Sequence, residues 1–135
     1  MSLKKRVFVD MSATLIHHGH IRLLKKSKKY GKVIVGLSTD KEIVKYKGFK
    51  PELNYAQRKE ILSSIKYVDE IVPSKWKITD NFLKKNQIDV IIRGTDHKKD
   101  QFKIKKIIFQ RTKGISSKLI RKKILKISEK YYKNI

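Results

Sequence analysis

Val33-Ile34-Val35-Gly36-Leu37 is an apolar run uninterrupted by any polar residue. A strand with one solvated face would alternate, so this one must be covered on both faces, as in a parallel sheet flanked by helices. The rest of the chain supplies matching pieces. Arg6–Met11 is β-rich and predicts a first buried strand. Ile21, Leu23, Leu24 and Tyr30 lie in a helical stretch that Gly31 is placed to end. Ala56–Ile65 predicts a helix with Ile61, Leu62 and Ile65 on one face. Val68–Val72 predicts a strand ended by Pro73, and Phe82-Leu83 a helix ending near Asn86. Asp89–Ile92 predicts a strand stopping at Arg93-Gly94, and Ile107-Ile108-Phe109 the next. From Ser116 to about Tyr131 comes a basic amphipathic helix with Leu119, Ile120, Ile124 and Ile127 on its stripe, and 126–135 is its end or a basic tail. Alternating strands and helices with short connections predict one α/β domain over 1–135, a five-stranded parallel sheet flanked by helices.

Composition excludes several functions. No apolar run reaches the ~18 residues of a spanning helix. After Lys4, Lys5 and Arg6 only Val7-Phe8-Val9 precedes Asp10, too short for a signal-peptide core. The chain has no cysteine, which removes disulfides, thiolate metal sites and cysteine nucleophiles and fits a cytoplasmic setting. Lys+Arg number 35 against 12 Asp+Glu, a formal net charge of +23. Such a charge suits a nucleic-acid surface. It equally suits a general lysine bias, since only six of the basic residues are arginine and alanine occurs only at 13 and 56. Incidental nucleic-acid binding follows from either.

Ligands of open parallel sheets bind beyond the carboxyl ends of the strands. After the first strand stands Thr14-Leu15-Ile16-His17-His18-Gly19-His20, holding three of the four histidines and running into a helix. It reads as a polar loop or as phosphate chemistry, in which glycine allows close approach and the helix start offers free N–H groups. A metal site lacks cysteine and suitably spaced carboxylates. After the second strand come Ser38-Thr39-Asp40 and Lys45-Tyr46-Lys47-Gly48, and after the fourth Arg93-Gly94-Thr95-Asp96. After the fifth, Arg111-Thr112-Lys113-Gly114-Ile115-Ser116-Ser117 opens the last helix; Ser116 or Ser117 is a normal N-cap and, beside Arg111, an anion site. Trp76 reads as a packing residue rather than a base-stacking one, and the Tyr131-Tyr132 pair as helix-end packing or a frayed tail.

Together these segments resemble the small cytidylyltransferases of the nucleotidyltransferase superfamily, especially the glycerol-3-phosphate cytidylyltransferases. The His-x-Gly-His signature stands at His17–His20 and the Arg-Thr-x-Gly-Ile-Ser-Thr/Ser signature at Arg111–Ser117. Between them Gly36–Asp40, Lys45-x-Lys47-Gly48, Arg58-Lys59-x-Ile61-Leu62 and Tyr67-Val68-Asp69 also match, in the same order, so the likeness covers roughly residues 6–125. The resemblance implies a Rossmann-like fold and transfer of CMP from CTP to a small phosphorylated alcohol, with pyrophosphate released and no covalent intermediate. It implies that His17 and His20 stabilise charge on the triphosphate and that Lys45 and Lys47 approach the α-phosphate and the acceptor. Arg111, Thr112, Ser116 and Ser117 would hold the β- and γ-phosphates. Arg58 would support the nucleotide or acceptor site and Asp96 would lie near the base. Ser12, Gly19, Gly94, Gly114 and Ile115 would complete the nucleotide contacts. Mg²⁺ would be held by substrate oxygens and water rather than by protein side chains, and a homodimer would form near 67–69. Three departures stand out. The family's Gly-Thr-Phe-Asp reads Met11-Ser12-Ala13-Thr14, its Gly-Asp-Asp-Trp reads Gly94-Thr95-Asp96-His97, and the stretch from Asp96 to Arg111 is several residues shorter. They leave open adenylyl transfer, or a nucleotide- or nucleic-acid-binding homologue with weakened turnover.

Overall fold

The computed structural model describes residues 4–134. Five strands form one sheet: β1 (Arg6–Met11), β2 (Lys32–Ser38), β3 (Glu70–Ser74), β4 (Val90–Gly94) and β5 (Lys105–Phe109). Every pairing is parallel and the order is β3-β2-β1-β4-β5. The helices are α1 (His18–Lys28), α2 (Asp40–Lys47), α3 (Tyr55–Ser63), α4 (Asp80–Lys85) and α5 (Ser117–Tyr131), with a 3₁₀ turn at Thr95–His97. This is the parallel, helix-flanked sheet expected from the apolar runs. Residues 1–3 and Ile135, the last of the expected 126–135 tail, lie outside the described part.

The two-residue period of a strand divides the core into two layers. Val7, Val9 and Met11 of β1 pack with Val33, Val35 and Leu37 of β2 and with Leu24 of α1 and Leu62 of α3. Phe8 and Ile34 face the other way, onto Ile78, Leu83, Ile88 and Ile91. Each such aliphatic side chain contributes ~1.5–3 kcal/mol on full burial. Gly36, the one residue without a side chain in the apolar run, makes room for the Phe8 ring: a Cβ there would lie 2.2 Å from its Cζ. The same ring meets Phe82 edge-on, centroids 5.5 Å apart.

Two expectations are corrected. The third strand does not stop at Pro73 but passes through it to Ser74. β3 is an edge strand, where a residue lacking an N–H leaves no neighbour unpaired. Residues 40–47, assigned no element from the sequence, form α2, capped by the Thr39 hydroxyl at Glu42 N and closed by Gly48 in the left-handed region at φ +78°. Only Ile43 of that helix is buried, so it carries little apolar signal. No helix among the described residues is long and apolar enough to cross a membrane.

Candidate active site

Strand order reverses between β1 and β4, and the loops leaving their carboxyl ends bound the crevice where this kind of sheet binds ligands. The first loop, residues 12–17, is built tightly. Ala13 sits at φ +46°, an unusual conformation for a residue with a side chain. Three side chains from elsewhere hold the loop. Arg58 of α3, fully buried, donates from Nη1 to the carbonyl of Ser12 (2.7 Å). Ser117 at the start of α5 donates to the carbonyl of Leu15 (3.0 Å) across 102 residues of sequence. Arg121, one turn further on, donates from Nη2 to the buried Thr14 hydroxyl (2.7 Å).

His17 is the N-cap of α1, and its Nδ1 accepts from the amide of Gly19 (3.1 Å). His20 reaches back so that its Nδ1 accepts from the amide of His17 (3.1 Å). Two imidazoles thus make the reciprocal capping box usually built from Ser/Thr and Glu/Gln. The consequence is chemical. With each Nδ1 accepting, the neutral ring carries its proton on Nε2, a donor fixed in tautomer. Burial first, then the charges of His17, Lys47 and Arg111, pushes His20 down to about 4. Burial and His18 lower His17 as well. The rings lie 4.0 Å apart.

Gly19 joins the two sequence motifs. A Cβ there would lie 2.8 Å from the His17 ring and 3.2 Å from Ile115 Cγ2, so the segment opening α5 packs directly on the histidine turn. Within that segment Gly114 adopts φ +78° and the Ser116 hydroxyl accepts from Leu119 N as the helix cap. Arg111 pairs with Asp96 at 2.9 and 3.1 Å, and a Cβ at Gly94 would lie 2.8 Å from that carboxylate. The Asp96 neighbourhood is anchored by buried Arg93, which reaches Asp10 (2.9 Å) and Asp100 (2.7 Å).

Lys47, at the end of α2, completes a group of cations. Its own burial, then Arg121, Arg111 and Arg58, holds its ammonium below the usual range, and Glu52 offsets part of this. Lys45 lies over Tyr46, which stacks on Trp76 with centroids 5.4 Å apart. Trp76 is 41% exposed, so its packing is a surface stack rather than core.

The structure therefore brings Ser12, His17, Gly19, His20, Lys47, Arg111, Ile115, Ser116 and Ser117 to one end of the sheet, with Gly94 and Asp96 at its rim. Two of the expected contacts are already committed within the chain. Arg58 spends its guanidinium on Ser12 O, Ser38 O, Leu53 O and Asp40, and Ser117 spends its hydroxyl on Leu15. Arg121 and Glu52 were not legible in sequence. The one arginine of α5 sits among lysines at 118, 122 and 123, and only the fold sets it beside Thr14. Among the described residues no group of three or more His, Asp or Glu side chains could hold a metal ion. A groove of about 400 Å³ lined by Lys84, Ile88, Asp89 and Ile104 lies beneath the amino ends of β4 and β5, away from these residues.

The family model described as cytidylyltransferase-like matches residues 12–123. Glycerol-3-phosphate cytidylyltransferase of Staphylococcus aureus is 37% identical, the match covering 89% of this chain and 95% of that one. The protein of the same name from Bacillus subtilis is 36% identical over 89% and 97%. Among solved structures, a lipopolysaccharide core biosynthesis protein from Thermoplasma volcanium superposes with a TM-score of 0.69 at 23% identity, covering 80% of this chain and 98% of that chain, a likeness of fold.

Proposed function

Since the chain belongs to the cytidylyltransferase-like family, we propose that it is a nucleotidyltransferase moving CMP from CTP to a small phosphorylated alcohol of the glycerol-3-phosphate kind. One observation carries the reading to this site. The two segments that resemble the family's signatures are bonded to each other, Ser117 to Leu15 and Ile115 against Gly19. An oxygen of the acceptor phosphate forms the new bond to the α-phosphorus while the α–β bridging bond breaks, and its electrons leave with pyrophosphate. Chemistry of this type asks a protein for positioning and charge neutralisation rather than covalent participation.

In this reading His17 and His20 donate from Nε2 to the phosphoryl oxygens as charge builds on them. They act as neutral donors, so proton loss from them is not part of the step. Lys47 lies between the nucleotide and acceptor phosphates, with Lys45 beside it on the α2 turn. Arg111, Thr112, the Ser116 turn and the free N–H groups opening α5 hold the departing pyrophosphate. Asp96 keeps Arg111 oriented until the nucleotide arrives. Arg58 and Ser117 act beneath, shaping the 12–15 backbone. Mg²⁺ accompanying the nucleotide would be held by phosphate oxygens and water and would supply charge neutralisation on the phosphates. The protein works as a homodimer near 67–69, and its lysine surface speeds capture of anionic substrates.

Pyrophosphate release, measured with CTP and with ATP against a panel of phosphorylated alcohols, tests the reaction. CTP with one of the alcohols should give turnover; no release with any pair sinks the proposal. H17A should cut turnover by roughly 10²–10³-fold, as removal of a transition-state donor does elsewhere. Normal turnover in that variant removes His17 from the mechanism.

A further inference from the structure

Arginine is scarce in this chain, and the one in α5 stands out by its surroundings. The Arg121 guanidinium makes a fork with Glu52, Nε to Oε2 at 2.5 Å and Nη2 to Oε1 at 2.6 Å, while Nη2 also reaches Thr14. Phe49 lies beneath the plane, its ring centroid 4.6 Å from the guanidinium carbon. Both partners are partly open to solvent, with side-chain exposures of 24% and 43%. Arg121 is also the charge that weighs most on Lys47 after burial, and Glu52 is the counter-charge that relieves it.

We infer that Arg121 is a phosphate-binding residue of this site and that Glu52 is its removable internal counter-anion, occupying the fork until substrate phosphate takes its place. The inference rests on the cytidylyltransferase reading for the identity of the phosphate, but not for the exchange itself. A carboxylate and a phosphate offer the same fork-matching pair of oxygens, so one can replace the other on a guanidinium without moving it. The Phe49 face and the Thr14 hydroxyl keep the plane in position during the exchange. An ion pair this exposed is weakly held in water, so a multiply charged phosphate displaces it readily. Lys47, Arg111 and Arg121 then converge on one anion. Release of Glu52 unties only that point of the 48–53 loop from α5, with Phe49 still against the guanidinium, and so couples phosphate arrival to the α2 end of the site.

Inorganic tripolyphosphate is the probe, titrated calorimetrically at low salt into the wild type, E52Q, R121K, R121Q and the double variant E52Q/R121Q. E52Q should bind roughly two- to five-fold more tightly, the change corresponding to loss of a competing surface pair. R121Q should bind roughly ten-fold more weakly. R121K, which keeps the charge on the helix but not the fork, should fall in between. The double variant should be no tighter than R121Q. If E52Q binds the same as or more weakly than wild type, the pair is only a strap between α5 and the 48–53 loop and the inference is overturned. A double variant that keeps the E52Q gain overturns it too, because the gain then belongs to Lys47. Tripolyphosphate binding that follows the expected pattern in a protein releasing no pyrophosphate from CTP leaves this inference standing and removes the transfer reaction.

Discussion

Replacing Arg58 with methionine keeps most of the side-chain volume and removes every donor. In the native chain this guanidinium is fully buried and makes four hydrogen bonds, the last of them its ion pair: Nη1 to Ser12 O (2.7 Å) and Ser38 O (2.9 Å), Nε to Leu53 O (3.0 Å), Nη2 to Asp40 (2.6 Å). R58M leaves three carbonyls without these partners. Each unsatisfied buried acceptor costs ~1–3 kcal/mol, but water entering beside Asp40, which is 41% exposed, recovers part of that. A loss of ~3–5 kcal/mol follows, the range for breaking a buried charged network from one side. Stability of a small domain is ~5–15 kcal/mol, so the variant should fold but weakly. With a urea m-value of ~1–3 kcal/mol/M, the midpoint should fall by roughly 1–5 M with little change in m. R58K should be nearly as unstable, because one ammonium cannot span acceptors on four segments. Urea titrations followed by circular dichroism measure both. If R58K stays within ~1 kcal/mol of wild type while losing nucleotide affinity, Arg58 serves substrate and the structural assignment fails.

The remaining predictions concern the histidine turn. His20 is held at about 4 from an ordinary 6.5. The unfolded chain therefore binds the extra proton first, so this stability is present above pH 6.5 and is lost as pH falls toward 4. The loss reaches up to about 3 kcal/mol, and H20Q should remove it from the pH dependence of urea midpoints. A wild-type profile parallel to that of H20Q between pH 6.5 and 4 contradicts the neutral, buried ring. G19A drives a methyl into the His17 ring and Ile115. It should lower turnover by roughly 10²-fold while destabilising the fold by only ~1–3 kcal/mol; an equally active G19A shows that the contact has slack.

β2 was readable because burial on two faces leaves an uninterrupted apolar run, and β1 begins and ends where its sequence changes character. α2 was not, since a helix with one buried residue has almost no apolar period; its caps, Thr39 and Gly48, were the available signal. Pro73 misled for a related reason: whether a proline stops a strand depends on whether that strand lies at the sheet edge, a property of strand order rather than of local sequence. In the site, glycine and histidine spacing marked both signature segments. Their contact, and the pairings of Arg93 with Asp10 and Arg121 with Thr14, link residues 83 and 107 apart in the chain. Nothing in a local pattern carries that information.

α5 has no buried residue, yet Ser117 and Arg121 on its first turns complete the loop after β1. A helix attached by polar clasps rather than by core burial is the element expected to open first in native-state fluctuations. Site integrity and helix attachment are then one equilibrium viewed from two ends. Whatever anion bridges the site draws α5 down, and whatever lifts α5 dissolves the site while the sheet beneath stays folded. α5 acts as a cotter pin, and a chain lacking it would be a stable fold with an unfinished active site.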